Sequence, residues 1–183
     1  IVDMAFQRRP SPILWAVRAD GELLSMAYRR EENVVAWAKH NTCGTFEAVA
    51  VMPHPDGDRD QVWVIANRTI NGATKRYVEY LDDSPLGYYD RRYLDASVVY
   101  NCSAVRVLTG LGHLECAYVR VLAQGAFLCN AYVINGEVKL SDANPGTTWA
   151  NVEVGLPYTS EGVTLPPEVS FGAGSIQPMA KRW

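Results

Sequence analysis

The chain has 183 residues, with 17 lysines and arginines against 20 acids and a formal net charge of −3. That balance excludes a general nucleic-acid binder, which carries an excess of basic charge. Apolar residues make up 48% and charged residues 20%, the proportions of an ordinary folded chain, and no apolar run reaches the roughly 18 residues of a membrane-spanning helix.

The N-terminal stretch, IVDMAFQRRPSP, lacks the charged-then-apolar order of a signal peptide and does not begin with Met. The chain therefore reads as part of something longer, or as a processed product. Pro10 and Pro12 bracket Ser11 in an extended lead-in. Residues 13–51 are the organising stretch. Ile13, Trp15 and Val17 alternate with Leu14, Ala16 and Arg18, and Asp20-Gly21 offers two positive-φ positions for a hairpin. Leu24, Met26 and Tyr28 alternate on the return. Arg30 to Asn33 make a polar turn. Val35 and Trp37 share one side of a third strand, Asn41 to Gly44 turn again, and Phe46, Ala48 and Ala50 alternate along a fourth. Four antiparallel strands in about 40 residues is the length of a propeller blade. A single blade cannot bury both its faces, so it demands neighbours.

Residues 52–61 read as a polar loop and Val62 to Ala66 as a mostly apolar strand. Asn71-Gly72 is the strongest hairpin signal, with Thr74 to Leu81 returning. Residues 13–81 thus hold about one and a half blades. Two acids, Pro85 and Gly87 mark a boundary between Asp82 and Leu94. Tyr88 to Tyr93 is an irregular connector or a short helical turn. A second set of short strands follows at 96–100, 105–108, 117–122, 126–133, 137–140 and 149–154, with turns at Gly125 and Asn135-Gly136. This set suggests a small closed or partly open barrel. Beyond residue 159, Gly and Pro break every pattern, and Lys181 to Trp183 read as the start of a strand. The predicted layout is all-β: blade-like meander over 1–83, barrel module over 84–158, extended segment over 159–183.

Little here points to chemistry. Asp56, Asp58 and Asp60 mimic the opening of a calcium loop, but Gln61 and Asn67 stand where that loop needs Gly and Glu. His40, His54 and His113 are far apart in sequence, and Cys43 lacks a nucleophile motif. Glu31 and Glu32 are adjacent, so on a strand they face opposite sides. The cysteines at 43, 102, 116 and 129 show no paired zinc-ligand spacing and are expected to be reduced, half-buried thiols, although their even number permits two disulfides. Trp15, Trp37, Trp63, Tyr28, Tyr77 and Tyr80 read either as core and blade-to-blade packing or as a sugar-binding platform. Packing is the expectation, with Trp15, Trp37 and Trp63 mostly buried, by packing within the chain or against another copy. No residue is assigned a catalytic, cofactor-binding or metal-binding role, and no enzyme activity is expected.

The segments DGELLSMAYRREENVVAWAKH (20–40) and VWVIANRTINGATKRYVEYLDD (62–83) resemble the blade repeats of tail nozzle proteins of short-tailed bacterial viruses. This family is also known as the tail tubular protein B or DNA-stabilisation type. TGLGHLECAYVRVLAQGAF (109–127), INGEVKL (134–140) and VEVGLPYTS (152–160) are similar to a small β-module inserted in such proteins. That module looks like the first catalytic-cysteine half-domain of ubiquitin-activating enzymes, which itself lacks the catalytic cysteine. In the GLxHLEG pattern of that module, Gly112 and Cys116 stand where Asp and the final Gly are expected. The resemblance implies a structural virion component: a subunit of a hexameric ring that contacts other copies of itself and neighbouring tail proteins. Phage DNA would pass through the ring during ejection without specific binding. It implies synthesis in the host cytoplasm and residence in the phage tail. The alternative is a tail module that binds or hydrolyses host-envelope carbohydrate.

Overall fold

The computed structural model describes residues 1–29, 31–32, 34–82, 93–101, 105–140 and 148–163, and the backbone of two further strands at 168–170 and 176–178. The described chain is built almost entirely of antiparallel strands, so the all-β expectation holds. The first sheet is β1 (Asp3–Gln7), β2 (Ile13–Val17), β3 (Leu23–Arg29) and β4 (Val34–His40), paired in that order. The second is β5 (Thr45–Pro53), β6 (Asp60–Ile70) and β7 (Ala73–Leu81).

The blade boundaries differ from those expected. The four-stranded unit spans residues 3–40, because the N-terminal lead-in supplies β1, which pairs Ala5 with Trp15 and Phe6 with Leu14. The predicted fourth strand, β5, leaves for the second sheet. Its apolar pattern explains why. A bulge between Phe46 and Ala48 shifts the alternation by one residue. Phe46, Val49 and Val51, not Ala48 and Ala50, then face inward beside Val62, Val64 and Ala66 of β6. Trp15, Val17 and Leu23 of the first sheet complete this shared core.

The turns largely follow their residues. Asn71 (φ 48°) and Gly72 (φ 73°) both adopt the left-handed region, as a type I′ hairpin requires. At Asp20-Gly21 only Gly21 does (φ 85°). The Gly21 N–H donates to Arg18 O at 3.0 Å and the Arg18 N–H to Glu22 O at 2.9 Å, so the loop has three residues and ends in a glycine bulge. A two-residue loop would need positive φ at Asp20 as well.

The second unit has β8 (Asp95–Tyr100), β9 (Val107–Leu108), β10 (Tyr118–Ala123), β11 (Ala126–Tyr132), β12 (Val138–Lys139) and β13 (Val152–Leu156). The strands order as β11-β10-β13-β8, with β12 and β9 forming a separate pair. All six contribute to, or pack against, one core around Val119, Val121, Val138, Val152 and Val154. The expected barrel therefore appears as an open sheet plus a two-stranded ribbon, with no closed barrel among the described residues. The last predicted strand starts late: Trp149 makes only an isolated bridge to Val105. The GLGHLE segment forms a 3-10 turn at Gly112–Leu114, with Leu111 and Leu114 fully buried. The Glu115 carboxylate accepts the Asn135 and Gly136 N–H groups at 2.9 and 2.6 Å, tying this turn to the Asn135–Gly136 hairpin. Gly155 in VGLPYTS allows a close approach: a Cβ there would lie 2.7 Å from the Asp95 carbonyl oxygen.

Strands β14 (Glu168–Ser170) and β15 (Ile176–Pro178) pair antiparallel near the C-terminus. The proposed boundary segment from residue 83 to 92 and the terminal Lys181–Trp183 strand lie outside the described residues.

Candidate functional site

Alternation in the first sheet sends Trp15, Val17 and Leu23 into the core. By the same period, Met4, Phe6, Leu14, Leu24, Met26, Tyr28, Val35 and Trp37 fall on the opposite face. The register aligns Phe6, Leu14, Met26 and Trp37 in one row across all four strands, with Tyr28 beside Val35 in the next. Met4, Phe6, Tyr28, Val35 and Trp37 are each about half exposed or more. The outer face of the second sheet repeats the arrangement. Ala50, Trp63 and Tyr80 form one row, and Ala48, Ile65 and Val78 another. The Trp63 and Tyr80 rings lie 5.3 Å apart, and Val78 and Tyr80 are exposed. Two sheets thus stack through one core. The outward face of the first is largely apolar; that of the second carries these two apolar rows beside a polar end where Asn67 and Arg76 donate to Glu47. The largest exposed patches of monomeric proteins tend to be functional.

Burial within the chain, one of the two ways the three tryptophans were expected to be covered, is uneven. Trp15 is buried and Trp63 half-buried, but Trp37 is 57% exposed. It lies on the last strand of its sheet and on the face turned away from the core, and no second layer among the described residues reaches it.

The titratable groups fall into separate environments. His40 Nε2 lies 2.8 Å from Ser25 Oγ and its ring 5.1 Å from Trp15; burial lowers its pKa below 6.5. His113 Nε2 lies 3.1 Å from the Ala96 carbonyl oxygen, to which it donates. His54 sits in the loop between β5 and β6. There its ring and the carboxylates of Asp56 and Asp58 bring ligand-type atoms within 4.8 Å of one another. This is the one grouping the calcium reading shares with the structure, but Asp60 is not part of it. The Asp60 carboxylate accepts the Arg8 and Arg9 N–H groups at 2.7 and 3.0 Å, which hold its pKa below the ordinary carboxylate value. The Arg59 guanidinium also lies 3.1 Å from both His54 Nε2 and Asp58. A cation is already in place, and its charge opposes a metal ion. Cys43, Cys116 and Cys129 are free thiols; Cys102 lies outside the described residues.

The strongest polar constellation was not singled out from sequence. Arg68, 1% exposed, donates to both carboxylate oxygens of Glu79 at 2.9 and 2.7 Å. It also donates to both oxygens of Asp95, each at 3.1 Å, and to the Cys43 carbonyl oxygen at 3.2 Å. Burial opposes the guanidinium charge, but the hydrogen bonds to Glu79 and Asp95 outweigh it and raise the pKa above its ordinary value. Thr42 Oγ1 donates to Asp95 at 2.6 Å. One side chain therefore joins β6, β7, the turn before β5 and the start of β8. The signal was in the pattern: Arg68 continues the inward series Val62, Val64, Ala66 and Ile70, and an arginine in an apolar phase needs buried acids.

Compared with known proteins, the chain matches no family model and no curated protein sequence. No helix among the described residues is long and apolar enough to cross a membrane.

Proposed function

We propose that the chain is a structural element of the tail of a short-tailed bacterial virus, contributing stacked β-sheets to a ring subunit around the DNA conduit. The observation that carries this is the pair of stacked sheets whose outward faces expose rows of apolar side chains, across the whole of the first sheet and over the Trp63 and Ile65 rows of the second. A binding pocket is concave and apolar with a few converging polar groups. These faces are broad and built from rows of aromatic and aliphatic residues, which suits further sheets packing on either side. The resemblance of residues 20–40 and 62–83 to nozzle blades supplies the identity of the assembly, and with it the hexameric ring and the neighbouring tail proteins. The test is reconstitution: the chain, or the protein containing it, is mixed with neighbouring tail proteins and imaged by electron microscopy. Rings that contain it support the reading. Failure to enter any tail particle sinks it.

A second reading rests on Trp37, Tyr28 and Phe6, whose exposure on one sheet face suits stacking on sugar rings. On this reading the chain is a carbohydrate-binding tail module that engages the host envelope. Glycan-array binding that disappears in Trp37→Ala while the fold survives favours this alternative. An array without binding removes it.

A further inference from the structure

The outward face of the second unit carries a constellation that neither reading above uses. Strands β10 and β11 set Tyr118 opposite Tyr132 and, two residues along, Arg120 opposite Asn130. Val119 and Val121, which alternate with them on β10, are fully buried, so these four side chains all turn outward. Each of the four is exposed. The two tyrosine rings lie 5.0 Å apart at a 55° tilt. Arg120 is the only charged residue on either strand. Neither its guanidinium nor the Asn130 amide has a hydrogen-bond or ion-pair partner among the described residues. On its other side Arg120 faces Gly155 of β13, which has no side chain to cover it. Strand β8 closes that flank as a wall: a Cβ on Gly155 would lie 2.7 Å from the Asp95 carbonyl oxygen and 2.8 Å from Ser97 Cβ. The acids nearby are already committed. Asp95 is held by Arg68, and Glu153, 4% exposed, accepts the Tyr93 and Leu94 N–H groups.

We infer that this shelf binds a sugar bearing a carboxylate, of the uronic or sialic acid type. A pyranose presents a C–H face that packs on an aromatic ring. Its rim of hydroxyls suits a tyrosine hydroxyl and a carboxamide, which both donate and accept. The uncommitted guanidinium supplies the complementary charge, because its planar fork meets a carboxylate with two parallel hydrogen bonds. Apolar surface with a few placed polar groups is the general composition of a small-ligand site. Single-stranded nucleic acid also stacks on aromatic rings, but its groove follows the backbone with a track of positive charge. Here β10 and β11 offer one cation, in a chain of net charge −3. The shelf lies on the second unit, apart from Trp37 and the first sheet. It holds whether or not the chain builds a tail ring.

Titration calorimetry of the whole chain with trigalacturonate, hyaluronan tetrasaccharide and sialyllactose tests this. At least one should bind saturably, with a dissociation constant below about 1 mM. The methyl ester of that sugar keeps the ring and removes the charge, and should bind about tenfold more weakly or worse. Arg120→Gln and Tyr132→Ala each change an exposed side chain, and circular dichroism checks that the fold survives. Each should weaken binding by about tenfold or more. Saturable binding of none of the three sugars, equal affinity for acid and ester, or an Arg120→Gln variant that binds like the parent would each overturn the proposal. Sugar binding that disappears in Trp37→Ala would assign it to the first sheet, with the same result. Decathymidylate that binds more tightly than every sugar, and is lost in Arg120→Gln, would make the shelf a nucleic-acid site instead.

Discussion

Cys116 has φ 61°, in the left-handed region that glycine occupies freely and other residues adopt at a cost. The GLxHLEG pattern places glycine at this position. The Cys116 N–H donates to the Val133 carbonyl oxygen at 3.0 Å, so the surrounding turn holds the strained conformation. Cys116→Gly should stabilise the chain by about 1 kcal/mol, because it removes a left-handed penalty of roughly that size. Chemical denaturation checks this, and a destabilised variant would show that the thiol contributes more than the backbone loses. His40 offers a second test at this scale. Its folded pKa lies below 6.5 because burial disfavours the imidazolium. Between the folded value and 6.5 the unfolded chain binds more protons, so stability rises with pH across that window and falls as pH drops through it. Thermal unfolding from neutral pH to about pH 5 should show this loss, and His40→Gln should flatten that part of the profile. An unchanged slope would assign the pH dependence to other groups.

The two β units each have their own apolar cluster, and Arg68 is the polar joint between them. A buried charge whose partners remain when it is removed is costly, because the partners lose their compensation. Glu79 and Asp95 keep 23% and 21% side-chain exposure, which lets water soften the loss. Arg68→Ala should therefore cost about 3 kcal/mol, at the low end for breaking a buried pair. Arg68→Lys should recover only part of this, since an ammonium cannot meet two carboxylates bidentately. Equilibrium unfolding of both variants checks the order. Equal stability of the alanine variant and the parent would mean that the joint is decorative.

Across the whole molecule, the proposed role as conduit wall sets a limit on DNA affinity. Each phosphate neutralised by Lys or Arg adds binding free energy through counterion release, and a wall that holds DNA slows its passage. The net charge of −3 suits a surface that lets DNA slip by. Fluorescence anisotropy with duplex DNA at near-physiological salt should give no more than weak, non-specific binding, in the range of about 1–100 μM. A dissociation constant near or below about 100 nM, well outside that range, would make this a DNA-binding protein and end the passive-conduit reading.

The sequence by itself determined what depends on neighbours along the chain. Period-two alternation placed most of the strands, and Asn71-Gly72 and Asn135-Gly136 located their hairpins, because positive φ is a property of those residues. What depended on distant partners was decided only in three dimensions. Nothing local showed that Asp3 to Gln7 form a strand; it exists because β2 had a free edge to pair with. The bulge at Phe46 reversed the phase of β5 in favour of Val49 and Val51, whose partners lie on β6. Trp37 was expected to be covered, within the chain or by another copy; within the chain it stands exposed, because alternation says which residues share a face and not which face the next layer covers. Arg68 found its acids 11 and 27 residues away, a separation that no local pattern encodes.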